Sequence, residues 1–230
     1  MSVGNEVIHN ICDASVYANS KRARMAGFKK LLAKASHWQV FIITDAKSQG
    51  NFLPQIFKGR KLKPLIVIIR DYHHPNRLEY AENLLKLVKD NNPKHKVLIA
   101  GCTTIYRKLL YHNLPIYKPD GIHLRESQTK HICNIAKKYK TRLISIACHS
   151  EKSFTFMDKF AIKPNFCMIS PVFKTKSHLD KKPLNKCIFA KIATRYHNRN
   201  IIALGGINNS NINKLKLLRK NLRGIAGIRF

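Results

Sequence analysis

Ile201-Ile-Ala-Leu-Gly-Gly-Ile-Asn-Asn-Ser-Asn-Ile212 reads as a buried strand joined to a helix start, and the rest of the chain is organised around it. Four apolar residues in a row suit a parallel strand covered on both faces. Gly205 and Gly206 carry no Cβ, so backbone N–H groups there come close to a ligand. Asn208, Asn209 or Ser210 then caps a following helix, whose N-terminal end favours an anion. The stretch reads as strand, turn and helix around a phosphate seat, or as the same turn with nothing bound.

The same grammar recurs through the chain. Apolar strand patterns fall at 38–44, 65–70, 96–100, 121–125, 142–147, 166–172, 201–204 and 224–228. Helical spacing is read between them at 76–90, 102–114, 127–139, 150–160, 184–196 and 210–222, whereas 49–63 reads as a short, poorly formed connection. Asn91-Asn92-Pro93 stops the helix at 76–90. About eight strands alternating with helices suit right-handed crossovers and close into a TIM (β/α)8 barrel, with no helix after the last strand. An open doubly wound sheet is the competing architecture. No G-x-G-x-x-G follows the first strand, which counts against its dinucleotide-binding version. Residues 1–36 carry no strand pattern. Met25, Phe28, Leu31 and Leu32, set among Lys and Arg, predict an amphipathic helix. The expected division is a basic N-terminal helical extension, 1–36, and a barrel domain, 37–230.

Composition narrows the function. With 230 residues and 44% hydrophobic content the chain is globular, and no apolar run is long enough to span a bilayer. The start of the chain does not read as a secretory signal, so the expected location is the cytoplasm, with no membrane partner. Six scattered cysteines without a C-x-x-C read as reduced, small hydrophobes. The net charge of +31 would draw nucleic acid or phosphorylated ligands. The basic residues are nevertheless spread along the chain, and aromatics are not interleaved with them as a strand-binding platform requires. Lys, Asn and Ile are all abundant, which suits a compositional bias. A nucleic-acid partner is therefore the lesser reading.

In such a barrel the chemistry gathers at the C-terminal ends of the strands. Those ends carry Asp45, Arg70-Asp71-Tyr72, Ala100-Gly101, His123 with Arg125 and Glu126, Cys148-His149, the loop Ser170 to His178, Gly205-Gly206 and Arg229. Arginine forks hold phosphate oxygens bidentately, and histidines titrate near neutral pH. The loop Ser170-Pro-Val-Phe-Lys-Thr-Lys-Ser-His178 adds the hydroxyls of Thr175 and Ser177. His149 is a candidate general acid or base if a neighbour fixes its tautomer. His73, His123 and His149 also offer three imidazoles for a metal, on no recognised spacing.

These residues, in this order, resemble the thiamine phosphate synthase/TenI superfamily: Ile-Thr-Asp45, Ile-Ile-Arg70, Asp120-Gly-Ile-His-Leu124, Cys148-His-Ser150, Ser170-Pro-Val-Phe-x-Thr-x-Ser177 and Ala203-Leu-Gly-Gly-Ile207. The resemblance spans roughly 38–230 and itself implies a TIM barrel. It implies a transferase that joins hydroxymethylpyrimidine diphosphate to thiazole phosphate, releasing pyrophosphate with Mg2+. TenI members instead isomerise a thiazole carboxylate phosphate with a strand-five histidine. By this resemblance Arg70 matches the arginine of a Gln-x-Arg-x-Lys diphosphate motif, and His149 the TenI histidine. Thr175 and Ser177 match the hydroxyls of a Thr-x-Thr-Lys loop. Gly205 and Gly206 match the thiazole phosphate turn, with Arg229 on the last strand nearby. The implied partners are phosphorylated pyrimidine and thiazole molecules. Several positions depart from the pattern. Ile68 and Tyr72 replace the Gln and Lys, Ala100-Gly101 replaces a metal-binding Asn-Asp pair, Ala147 a serine and His178 the loop lysine. The acidic ligand after strand four has Glu126 only as a displaced candidate. Arg125, Lys176 and Arg229 are the available substitutes for the lost positive charge. The expected activity is that of the synthase. A TenI-like isomerase and a non-catalytic phosphate sensor are the alternatives.

Overall fold

A computed structural model of the chain describes residues 23, 25–45, 52–57, 62–72, 74–101, 103–111, 117–175 and 182–228. Eight parallel strands close into a barrel in chain order. They are β1 (Gln39–Ile43), β2 (Ile66–Ile69), β3 (Lys96–Ala100), β4 (Gly121–Leu124), β5 (Leu143–Cys148), β6 (Phe166–Ile169), β7 (Ile201–Leu204) and β8 (Gly224–Gly227). β1 and β8 make the closure, from Gln39 opposite Gly224 to Ile42 opposite Gly227. The predicted barrel is the observed fold, and the open sheet is not.

Strand alternation divides the apolar side chains into two cores. Phe41, Ile43, Ile66, Ile68, Leu98, Ala100, Met168, Ile202 and Ala226 fill the barrel interior. Their neighbours, among them Val40, Ile42, Val67, Ile69, Ile99 and Ile146, face outward into the helices. This double burial explains why the strands read as unbroken apolar runs, each large side chain contributing roughly 1.5–3 kcal/mol.

The helices are α1 (25–34), α2 (Phe52–Phe57), α3 (Arg77–Asn91), α4 (Thr103–Tyr111), α5 (Ile132–Tyr139), α6 (Glu151–Met157) and α7 (Lys186–Arg195). α3 buries Ala81, Leu84, Leu85 and Val88, one stripe at helical spacing. α1 buries Phe28 and Leu31, as its pattern predicts. It also meets the loop after β7, where the Asn209 side-chain amide donates to the Gly27 carbonyl at 2.7 Å.

Three expectations for helical segments change; the first part of the helix expected at 127–139 is a 3-10 segment, Glu126–His131. The connection at 49–63 contains α2, whose buried Ile56 and Phe57 pack on the outer core. The helix expected at 210–222 is a 3-10 segment, Ile212–Leu218. The preceding asparagines account for it. Asn208 Oδ1 accepts from the N–H groups of Ser210 (2.9 Å) and Asn211 (3.3 Å), and Asn211 Oδ1 accepts from Asn208 N–H (2.9 Å). Such side-chain bonds compete with the first turn of an α-helix.

At the opposite end of the barrel Asp120 anchors β4. It receives Lys89 at 2.7 Å, Lys96 at 2.9 Å and the Val97 N–H at 2.9 Å. Burial pushes its carboxyl pKa up, but these three donors outweigh burial and hold it below the usual value. Cys148 and Cys167 are buried free thiols in the outer core, as small hydrophobes.

A candidate active site at the barrel rim

The end of β2 is fixed by a buried polar knot. Thr44 Oγ1 accepts from the Arg70 backbone N–H at 2.9 Å and donates to the Asp71 carboxylate. Tyr80 also bonds Asp71; burial and then that carboxylate hold its phenol well above the usual range. Asp71 is thereby turned to the outside of β2. Arg70 alternates to the inner side, above Ile68 of the barrel interior. Ile68 is fully buried and offers a ligand no polar contact.

His123 lies inside the barrel rather than at the rim, which corrects the sequence reading. Its Nδ1 lies 2.7 Å from Ser145 Oγ, its register partner on β5. Burial and then the Arg70 charge lower its pKa to about 4, so the imidazole is neutral at pH 7. Of the three-histidine metal set, only His123 and His149 lie among the described residues. Their Nδ1 atoms are taken by Ser145 and by the Ser170 carbonyl. Among the described residues no group of three His, Cys, Asp or Glu is placed to hold a metal ion.

The lowered His123 value gives a pH prediction. Between pH 6.5 and about 4 the unfolded chain binds the proton and the native chain does not, so stability is full above pH 6.5 and falls below it. The expected loss by pH 4 is about 3 kcal/mol. His95, lowered by burial and then by Lys89, acts in the same direction. Urea unfolding at pH 7 and pH 4.5 checks this. His123→Asn is expected to lose clearly less stability between the two pH values than the wild type. An equal loss in both would exclude His123 as its source.

His149 is exposed at the end of β5, with Nδ1 2.9 Å from the Ser170 carbonyl. A carbonyl only accepts, so the proton sits on Nδ1 and the Nε2 lone pair is left as a base. Glu126, the displaced metal candidate, accepts from Ser153 Oγ, which in turn receives the His149 N–H at 3.3 Å. It braces the start of α6.

The loops after β6 and β7 meet. Val172 N–H donates to the Leu204 carbonyl at 2.9 Å and Phe173 N–H to the Gly205 carbonyl at 3.0 Å. Gly206 has φ +66°, and a Cβ there would lie 2.3 Å from the Lys174 carbonyl oxygen. Glycine is therefore required for the two loops to touch. Thr175 lies on the same stretch; Ser177 and Arg229 lie outside the described residues. An anion at this turn has no α-helix start behind it, since the segment that follows is 3-10.

Beside Arg70 stands a group the sequence reading did not assemble. Tyr72 carries the Arg125 guanidinium 4.3 Å from its ring centroid and that of Arg77 at 5.2 Å. Arg77 Nη2 donates to the Ala100 carbonyl at 2.6 Å, and Gln128 Nε2 to the Gly101 carbonyl at 3.2 Å. Arg77 and Gln128 carried no sequence signal, because each sits in the first turn of a helical segment where polar residues are ordinary.

The sequence profile described as thiamine monophosphate synthase, TMP-TENI, matches residues 40–230. The chain belongs to the thiamine monophosphate synthase family. It is 29% identical over 198 residues to the "Putative thiamine-phosphate synthase 2" of Aquifex aeolicus, covering 83% of this chain and 95% of that one. The thiamine phosphate pyrophosphorylase of Pyrococcus furiosus shares the fold, with TM-score 0.60 at 16% identity over 83% of this chain and 85% of the other. The phosphoribosyl anthranilate isomerase of Thermotoga maritima shares it more distantly, with TM-score 0.51 at 14% identity, over 83% and 87%. The chain is thus a member of an enzyme family of thiamine biosynthesis. Among the described residues no helix is long and apolar enough to cross a membrane.

The magnesium that the resemblance implies does not fit the described residues at this rim. Mg2+ takes oxygen ligands, usually carboxylates, in a near-octahedral set. Ala100 and Gly101 have no side-chain oxygen, and both carbonyls are engaged. Gly101 has φ +64°, and a Cβ there would lie 2.8 Å from Tyr72 Cε1, so a carboxylate cannot replace it without moving the ring.

Proposed function

We propose that this chain joins hydroxymethylpyrimidine diphosphate to thiazole phosphate and releases pyrophosphate. The observation that carries this reading is the meeting of the Gly205-Gly206 turn with the loop through Thr175, across the barrel mouth from Arg70. One rim then offers two anion positions, and the two substrates have one phosphorylated end each. The thiazole nitrogen attacks the pyrimidine methylene carbon. The new N–C bond takes the place of the C–O bond to the diphosphate, which leaves with the electron pair. Arg70 neutralises the charge that develops on it. The Gly205-Gly206 turn, with Thr175 and Ser177, orients the thiazole phosphate.

A TenI-like isomerase is the second reading, favoured by the His149–Ser170 contact. An Nε2 base at an open rim suits proton shuttling on a thiazole ring. An end-point assay with both substrates decides. The expected result is thiamine phosphate, read as its oxidised fluorescent product. No product, with isomerisation of the thiazole carboxylate phosphate lost in His149→Ala, would replace the synthase reading by the isomerase. Thiazole phosphate binding without either turnover would leave a sensor.

A further inference from the structure

We infer that the rim above β2, β3 and β4 is an arginine-lined site that binds a diphosphate directly, with no divalent cation between protein and ligand. Three observations converge on it.

The first is charge. With 43 basic against 12 acidic residues, a single unpaired arginine in this chain carries no information. Convergence does. Arg77 and Arg125 share one ring, and the Arg70 charge is felt at His123 of β4, two residues before Arg125. Among the described residues none of the three guanidiniums pairs with a carboxylate, whereas Arg195 finds Glu151 and Arg199 finds Asp158. Like charges held together repel, and a multiply charged anion between them removes the repulsion.

The second is orientation. Each guanidinium has five N–H donors, and the Ala100 carbonyl takes one donor of Arg77. The ring of Tyr72 holds the two forks by cation–π attraction without using their N–H groups. Arg125 is exposed, so its donors are open to the mouth of the barrel.

The third is that, among the described residues, no group of three His, Cys, Asp or Glu is placed to hold a cation at this rim. Gly101 has no room for a side chain under Tyr72. Asp71 is bound by Thr44 and Tyr80. Glu126 is bound by Ser153. A small dication at these positions would face guanidiniums in place of carboxylates. Bidentate arginine forks do for phosphate oxygens what a bridging cation does elsewhere.

The identity of the ligand rests on the synthase reading, but the test does not need turnover. Inorganic pyrophosphate is titrated calorimetrically into the full chain at moderate salt, once with EDTA and once with MgCl2. Binding in EDTA at an affinity that MgCl2 does not raise is the expected result. Arg125→Gln and Arg77→Gln are each expected to weaken it about ten-fold or more, with Arg125→Lys recovering only part. Lys137→Gln, on the exposed face of α5, is the control for net charge and is expected to bind as the wild type does. Binding that appears only with MgCl2 would overturn the inference and leave the synthase reading standing. Binding in EDTA that ignores both arginine substitutions, or falls equally in Lys137→Gln, would also overturn it. So would no binding in either buffer, whatever the product assay shows. Circular dichroism of each variant separates a lost site from a lost fold.

Discussion

Arg70→Ala is expected to lower kcat/KM for thiamine phosphate formation by about two to three orders of magnitude, the cost of removing one preorganised donor from a developing oxyanion. The size follows from the neighbourhood. Ile68, directly below on the same face, contributes only apolar surface. Tyr72, two residues on, contributes a ring that two guanidiniums approach. Arg70 is therefore the residue of this β2 edge with a charge to offer the leaving group. The fold is expected to survive, because the buried knot uses the Arg70 backbone N–H and not its side chain. Steady-state kinetics with the pyrimidine diphosphate varied checks this. The thiazole phosphate KM should stay within a few-fold, since the seat proposed for that end lies across the barrel. Equal losses for both substrates would mean that Arg70 acts on the whole rim and not on one ligand.

Gly206→Ala is expected to give the largest loss of stability together with the loss of thiazole phosphate binding. Two costs add. The φ of +66° belongs to the left-handed region, which costs an alanine about 1 kcal/mol or more. The new Cβ would also meet backbone, the Lys174 carbonyl oxygen at 2.3 Å and the Phe173 carbonyl oxygen at 2.8 Å, neither of which moves like a side-chain end. The loops after β6 and β7 must then separate, breaking the Val172 and Phe173 backbone bonds. A total of about 3 kcal/mol corresponds to a fall in Tm of roughly 6–12 °C for a chain of this size. Thermal unfolding and thiazole phosphate titration check the two halves. A variant with unchanged Tm and affinity would show that the turn is not held as described.

Much of the fold was legible because burial on both faces writes parallel strands as apolar runs, as in Ile66–Ile69 and Ile201–Leu204. Where local side-chain chemistry overrode the pattern, the reading failed. Asn208 and Asn211 drew the segment after β7 into 3-10 form. Phe52–Phe57 was hidden by its proline and by the basic, glycine-containing residues around it. The rim position of Arg70, His149, Gly205 and Gly206 was legible because they directly follow strands, and following a strand of a barrel means standing at the rim. His123 misled for a related reason: it lies one residue before the end of β4, yet its side chain turns inward to Ser145. The stack of Arg125 and Arg77 on Tyr72 brings together residues that follow β2 and β4 and the first residue of α3, a neighbourhood that the pairing of β2, β3 and β4 creates.

Synthase chemistry in this barrel is tested most directly by stoichiometry. Purified chain, both substrates and no added hydrolase are mixed, and pyrophosphate and thiamine phosphate are quantified in the same samples over time. Equimolar appearance of the two products is expected, with neither formed when thiazole phosphate is omitted. Pyrophosphate released without thiamine phosphate, or a thiazole isomer formed with no pyrophosphate at all, would contradict it.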